Sequence, residues 1–507
     1  MSIVLGLDVG TSGTKAIAMN EAGRLLASAT VEYSLHSPRP GWAEQDPAAW
    51  KRAAIEALSQ LSARIDTEEV KGLGLTGQMH GSVFLDAKNE VLRPAILWCD
   101  QRTAKQCGDI TAKVGERRLI EMVSNPALTG FTAPKILWLR ENEPQHYERV
   151  AKVLLPKDYI RLVLTGEFAT DVADASGTLL FDVKNRSWHR ELLSLLDIDV
   201  AFLPAAYEGP EITGRLSAES AAKTGLPAGI PVVAGGGDQA AGGVGCGIVR
   251  PGVISSTLGT SGVTFAFADQ VTMDPRGRVH TFCHAVPGKW HVMGVMLSAG
   301  GSLQWFRNTL CALERAVALE TARDPYEYIT AEAARAPVGA EGLLFLPYLS
   351  GERTPHKDPF ARGAFIGLSL RHTKAYMARA VLEGVAYGMR DSLEIIREMG
   401  VPATQVRASG GGARSPLWRQ IMADTHRVPF CTINVDEGPS YGAAILAAVA
   451  TGMYASVEQA CDAIIRVVDE CPVNEENARV YDRWFPEFQA AYRALAPSYK
   501  RAADLMG

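Results

Sequence analysis

The residues best suited to chemistry in this chain are two acids set among glycines. Asp8 closes an apolar run and is followed by Gly10, Thr11, Ser12 and Gly13; Asp238 sits in the stretch GGGDQAAGG. Glycines let a backbone approach a ligand closely, and hydroxyls with exposed N–H groups bind oxyanions. An acid at the mouth of such a turn would repel a phosphate, and makes sense there if Mg2+ lies between them. Asp238, framed by small residues, has to stand at a turn or a helix start. As a helix N-cap it would be unremarkable; as a general base it would deprotonate a hydroxyl nucleophile. The letters GTSG return at Gly259 to Gly262, with Thr257 or Leu258 where the first copy carries its acid. A third glycine turn, Gly410 to Gly412, precedes Ser415 and Pro416, which suit a helix cap and first helical position. Gln78, Met79 and His80 lie between two glycines after an apolar strand, a setting that favours ligand contact for His80.

These residues need elements to hold them. Ile3 to Val9, Thr14 to Met19 and Leu25 to Tyr33 read as a three-strand meander with Asn20 to Gly23 as a turn. Strand patterns also end before Gln78, Asp238, the second GTSG and the glycine turn at Gly410. Asp46 and Pro47 start a helix with Trp50, Ala54, Ala57, Leu58, Leu61 and Ile65 on one face. Thr373 is expected to cap a long helix with Met377, Ala380, Val381, Val385 and Met389 inward. Pro355 and Pro359 mark LPYLSGERTPHKDP as a loop, near a cleft or the other domain. Tyr481, Trp484, Phe488 and Tyr492 in the tail are expected to dock on the core, with a homodimer interface as the alternative. One GTSG hairpin per half suggests a diverged duplication of 1–247 and 248–507, joined near Cys246 to Val253, with the two hairpins facing each other across a cleft.

A length of 507 residues argues for two large domains or three smaller ones, with ample material for buried cores. The chain is 47% hydrophobic and 21% charged with a net charge of −5, so no global basic surface recruits nucleic acid or an anionic membrane. Eight scattered cysteines form no CxxC and no zinc spacing. Free thiols, no signal peptide ahead of the first strand and no membrane-length apolar run point to a cytoplasmic protein.

The ordered set LGLDVGTSGTKA, GQMHG, ILWCDQRT, FTAPKILWL, KDYIRLVLTGEFATDVADASGTLLFD, GGGDQAAGGVG, TLGTSGV, LPYLSGERTPHKDP and SGGGARSPLW resembles the FGGY carbohydrate kinases, and among them is most similar to the xylulokinases. The resemblance runs from Leu5 to about Ala448. It implies an α/β fold of duplicated actin-like, ribonuclease-H-like domains with an interdomain cleft, and an ATP-dependent, cytoplasmic ketopentose kinase acting on D-xylulose. Ribulose, L-xylulose and erythritol remain alternative acceptors; an actin- or chaperone-type nucleotide switch or a catalytically inactive sugar sensor are the alternative classes. By position, Asp238 matches the catalytic base and Asp8 the acid that holds the Mg2+ of ATP, with Asp238 beside it. Gly10, Thr11, Ser12, Thr14 and Lys15 match the first phosphate loop, Gly259 and Thr260 the second, and Gly411, Gly412 and Ser415 the adenosine site. Met79 and His80 match the sugar-binding pair, with Asp100, Arg102, Phe131 and Gln239 as further sugar-side residues. Pro439 and Ser440 stand where small alanines are expected.

Overall fold

A computed structural model describes residues 2–435 and 437–506. The chain divides into two units: Met1–Arg250, Phe267–His291 and Val435–Arg466 form one, and Pro251–Ala266, Val292–Asn434 and Val467–Gly507 the other. The first crossing lies inside the expected Cys246 to Val253 segment. A single cut at 247/248, however, describes only that crossing, because the chain returns to the first unit twice.

The sheet of the first unit runs in the order Ile212–Arg215, Pro231–Val233, Val70–Gly77, Ile3–Val9, Gly13–Asn20, Leu25–Glu32. The last three strands are the expected antiparallel meander, and Ile3–Val9 pairs in parallel with Val70–Gly77. The helix Pro47–Ser62 opens as expected, Asp46 accepting from the Ala48 N–H at 2.9 Å. Trp50, Ala54, Ala57, Leu58 and Leu61 are buried in the core formed with Leu5, Leu7, Leu73 and Leu75; Ile65, beyond the helix end, is half-buried. The returning helix Gly438–Ala450 lies on the sheet. Its approach is so close that a Cβ on Gly6 would stand 1.9 Å from the Ser440 carbonyl. Pro439 falls in its first turn, and Ser440 is buried with its hydroxyl donating to the Glu437 carbonyl. The departure at these two residues therefore concerns helix-on-sheet packing in the first unit.

The second unit repeats the wiring. Gly252–Leu258 is antiparallel to Gly262–Ala268 and parallel to Ala403–Ser409, which continues to Phe430–Ile433 and Val467–Cys471. The long helix is Lys374–Glu398; Thr373 precedes it without a side-chain capping bond, and Met377 is half-buried while the other four expected residues are buried. The LPYLSGERTPHKDP segment is a packed loop of this unit: Glu352 accepts from the Leu297 N–H, and Tyr492 donates to Asp358. The C-terminal helix Glu475–Met506 buries Tyr481, Phe488 and Tyr492, and the Tyr481 hydroxyl donates to Glu383 at 2.9 Å. Trp484 is half-buried against Gly339 and Gly342, so the aromatic set packs on the unit's own core. Among the described residues, no helix is long and apolar enough to cross a membrane.

Candidate active site

Three parallel strands of the first unit end together. Val9 is in register with Gly77, and Gly77 with Gly237. The GTSG turn, the Gln78–His80 loop and Asp238 thus leave the sheet side by side at the carboxyl ends of strands, where α/β sheets bind ligands. Gly237 is the N-cap of the helix Asp238–Gly245, so Asp238 is its first helical residue and not the cap. Its carboxylate is half-buried at a helix N-terminus and accepts from Gln239 Nε2 at 3.4 Å. Burial raises its pKa to about 6, against the lowering by the Gln239 hydrogen bonds. Asp8 is pushed up to about 7, first by burial and then by the charge of Asp238, with Lys15 opposing. Asp8 Oδ1 is buried without a hydrogen-bond partner. A lone carboxylate oxygen of this kind fits a divalent cation that takes its other ligands from phosphate and water. It fits that mode better than an all-protein site, since no cluster of three acids, His or Cys could hold a metal among the described residues.

The first GTSG turn is tied from below. Gln78 Nε2 donates to the Gly10 carbonyl at 3.2 Å and to Gln45 Oε1 at 3.0 Å, while Gln78 Oε1 accepts from the Thr11 hydroxyl. Gln45 donates to the Thr11 carbonyl at 2.7 Å, Tyr33 donates to the Gly10 carbonyl at 2.7 Å, and Trp98 donates to the Thr11 hydroxyl at 3.0 Å. Ser12 is exposed. Thr14, expected on the phosphate loop, is fully buried with its hydroxyl against that of Tyr33, and Lys15 is ion-paired with Glu437. Both are therefore engaged within the protein. Gln45, Tyr33, Gln78 and Trp98 carry no sequence signal for this role, because each reaches a turn residue at least 23 positions away.

His80 has a backbone φ of +68°, a left-handed conformation that costs a residue with a Cβ about 1–2 kcal/mol. Its ring Nδ1 lies 2.6 Å from the Gly177 carbonyl, so Nδ1–H donates there. Its carbonyl accepts from Lys135 Nζ at 2.8 Å and from the Thr132 hydroxyl at 3.1 Å. Phe131, just before the helix Thr132–Asn142, sets its ring edge-to-face on His80 at 4.9 Å. Met79 packs against Gly237, where an added Cβ would meet it at 2.7 Å, which draws the loop against the start of the Asp238 helix. Met79, His80, Phe131, Asp238 and Gln239 therefore form one locality.

Asp100 and Arg102 play a different part from the expected one. Asp100 is fully buried and accepts from the Ala43 N–H and the Arg102 guanidinium; Arg102 also reaches Glu44 at 2.7 Å and lies 3.6 Å over the Trp42 ring. With side-chain exposures of 1% and 0%, the two are engaged with each other and with neighbouring backbone and side chains. A second buried cluster was not legible: Lys157 bridges Asp158 at 2.5 Å and Asp171 at 2.6 Å, with Asp174 at 3.5 Å. Burial above all, with Asp238 among the smaller causes, holds Asp174 well above the usual carboxylate range.

In the second unit, Thr257 is in register with Ser409, so the second GTSG turn and the Gly410–Gly412 turn leave adjacent parallel strands. The Gly259 and Thr260 carbonyls accept from the N–H groups of Gly300 and Ala299 at 2.7 and 2.9 Å. Gly411 opens to free space, Gly412 packs on Trp418, and the Ser415 hydroxyl caps the helix Pro416–His426. Ser415 is thereby a helix cap, as its place before Pro416 suggests.

Residues 3–245 match the FGGY family of carbohydrate kinases, N-terminal domain, and residues 254–451 match its C-terminal domain. The chain is 43% identical to the xylulose kinase of Escherichia coli strain K12, over 97% of this chain and 99% of that one. It is 37% identical to the xylulose kinase of Bacillus subtilis strain 168, over 97% of each. Among solved structures, the xylulose kinase from Rhodospirillum rubrum superposes with a TM-score of 0.90 at 33% identity, covering 98% of this chain and all of that one.

Proposed function

This chain belongs to the FGGY family of carbohydrate kinases, and on that premise we propose that it phosphorylates D-xylulose to D-xylulose 5-phosphate with ATP and Mg2+. The observation that carries the reading is the placement of Asp238. It stands half-buried at a helix N-terminus beside the Met79–His80 loop, where an acceptor hydroxyl would lie.

Phosphoryl transfer asks the protein chiefly for positioning and charge neutralisation. Asp238 accepts the proton of the primary sugar hydroxyl, and its burial brings its basicity toward working pH. His80 Nε2 accepts from a sugar hydroxyl, Met79 supplies an apolar wall, Phe131 backs the imidazole, and Gln239 orients the Asp238 carboxylate. In the first unit the Gly10 N–H donates to the Gly13 carbonyl, which leaves the N–H groups of Thr11 and Ser12 at the tip of the turn for phosphate oxygens; within the second unit, Gly411 opens to free space that suits an adenine. Asp8, with Asp238 nearby, is the acid that would hold Mg2+, and the bound ion would supply neutralisation of phosphate charge. Eight cysteines that form no disulfide among the described residues suit a reducing, cytoplasmic setting.

The test is ADP release measured against D-xylulose, L-xylulose, ribulose and erythritol. D-Xylulose is expected to give the highest kcat/KM. A tenfold preference for another of these sugars would overturn the substrate while leaving the kinase standing.

A further inference from the structure

Lys135 lies in the FTAPKILWL stretch, of which the proposed chemistry uses only Phe131. It is fully buried, and its ammonium donates to two backbone carbonyls, those of His80 at 2.8 Å and Gly130 at 2.7 Å. Burial pulls its pKa down to about 7, with Asp100 and Cys99 raising it and Arg102 lowering it. Packing alone does not call for an amine here, since a methionine has the same reach without the desolvation. The residue it grips is also the one in left-handed backbone. Strained backbone of this kind persists where its surroundings over-determine it. Here the His80 carbonyl is held by Lys135 and Thr132, while the ring is held by Gly177.

We propose that Lys135 is a positioning residue for the acceptor: by holding the His80 carbonyl it locks the left-handed turn and thereby aims the imidazole. The proposal rests on His80 being a sugar ligand. Lys135 acts through His80 and touches no reacting atom.

The experiment is a double-mutant cycle on the full chain with Lys135→Met, His80→Ala and the pair, reading sugar KM and kcat with the preferred acceptor from the sugar panel, and melting temperature. Lys135→Met is expected to raise sugar KM about tenfold while kcat falls less than about twofold, and to add less than about twofold in the His80→Ala background. If the full tenfold cost persists without the His80 side chain, Lys135 does not act through it and the proposal falls, while His80 stands as a ligand. If His80→Ala leaves sugar KM unchanged, the ligand reading falls and takes the proposal with it. Should Lys135→Met not fold, Lys135→Gln removes the ammonium and shortens the side chain while keeping it polar; it is expected to raise sugar KM in the same direction, and an unchanged KM overturns the proposal.

Discussion

The two GTSG hairpins share letters, strand wiring and little else. In each, a strand enters the turn, returns antiparallel, and pairs in parallel on its other side with a strand that ends in a second loop. Two residues before the first turn stands Asp8, with a buried carboxylate oxygen that has no partner. Two residues before the second stands Thr257, whose hydroxyl is hydrogen-bonded to Ser409 at 3.0 Å. The first turn is fastened by side chains of Gln45, Gln78, Tyr33 and Trp98; the second is fastened by backbone N–H groups at a helix start. One scaffold thus carries an acid with an unpartnered oxygen in the first unit and a satisfied, neutral hydroxyl in the second.

The comparison predicts unequal responses to substitution. The largest should come from Asp238→Asn, which keeps the shape and removes the proton acceptor. Turnover is expected to fall roughly a hundredfold or more, with sugar KM changed far less. Near-normal turnover in steady-state assays would deny the first unit its base. Next, Asp8→Asn should weaken the response to Mg2+, read as a shift of the metal titration by about tenfold or more. Thr257→Val should shift ATP KM by only about two- to tenfold, the scale of one lost neutral hydrogen bond. Equal metal responses in these two variants would erase the asymmetry between the hairpins.

His80→Ala should cost about 1–3 kcal/mol of sugar-dependent stabilisation. Sugar phosphorylation is expected to fall well beyond sugar-free ATP hydrolysis; equal losses would remove His80 from the acceptor site. The smallest effects concern protons. Asp238 must be charged to act, so kcat/KM should decline as pH drops through about 6. A flat profile down to pH 5 would contradict this. Asp8 and Asp238 bind protons more tightly folded than unfolded, so each costs stability as pH rises from the ordinary carboxylate range through about 6 to 7. Asp8→Asn should therefore melt a few degrees higher than wild type at pH 8, at about 1–2 °C per kcal/mol for a chain of this length, with the gain shrinking toward pH 4. No such gain is expected for Thr257→Val.

Local rules made much of this protein legible in one dimension. Strand and helix starts followed from apolar periodicity and from Asp46–Pro47 and Ser415–Pro416, because caps and first-turn prolines act within three residues. The glycine turns and their acids were visible for the same reason, and the ordered motifs added the family. What lay out of reach depends on distant partners. Whether Asp238 caps its helix or stands free in it was decided by the register of Gly236–Gly237 beside Thr76–Gly77. Asp100 and Arg102 look like ligands in sequence but became a buried pair once Ala43, Glu44 and Trp42 were folded against them. The grip of Lys135 on His80, the fastening of the first turn by Gln45 and Gln78, and the two returns of the chain to the first unit all join residues tens to hundreds of positions apart. Sequence alone determined which residue types could do chemistry and which turns could hold them. Only the tertiary structure decided which of those groups keep a free valence, because desolvation and hydrogen-bond satisfaction are properties of the packed neighbourhood.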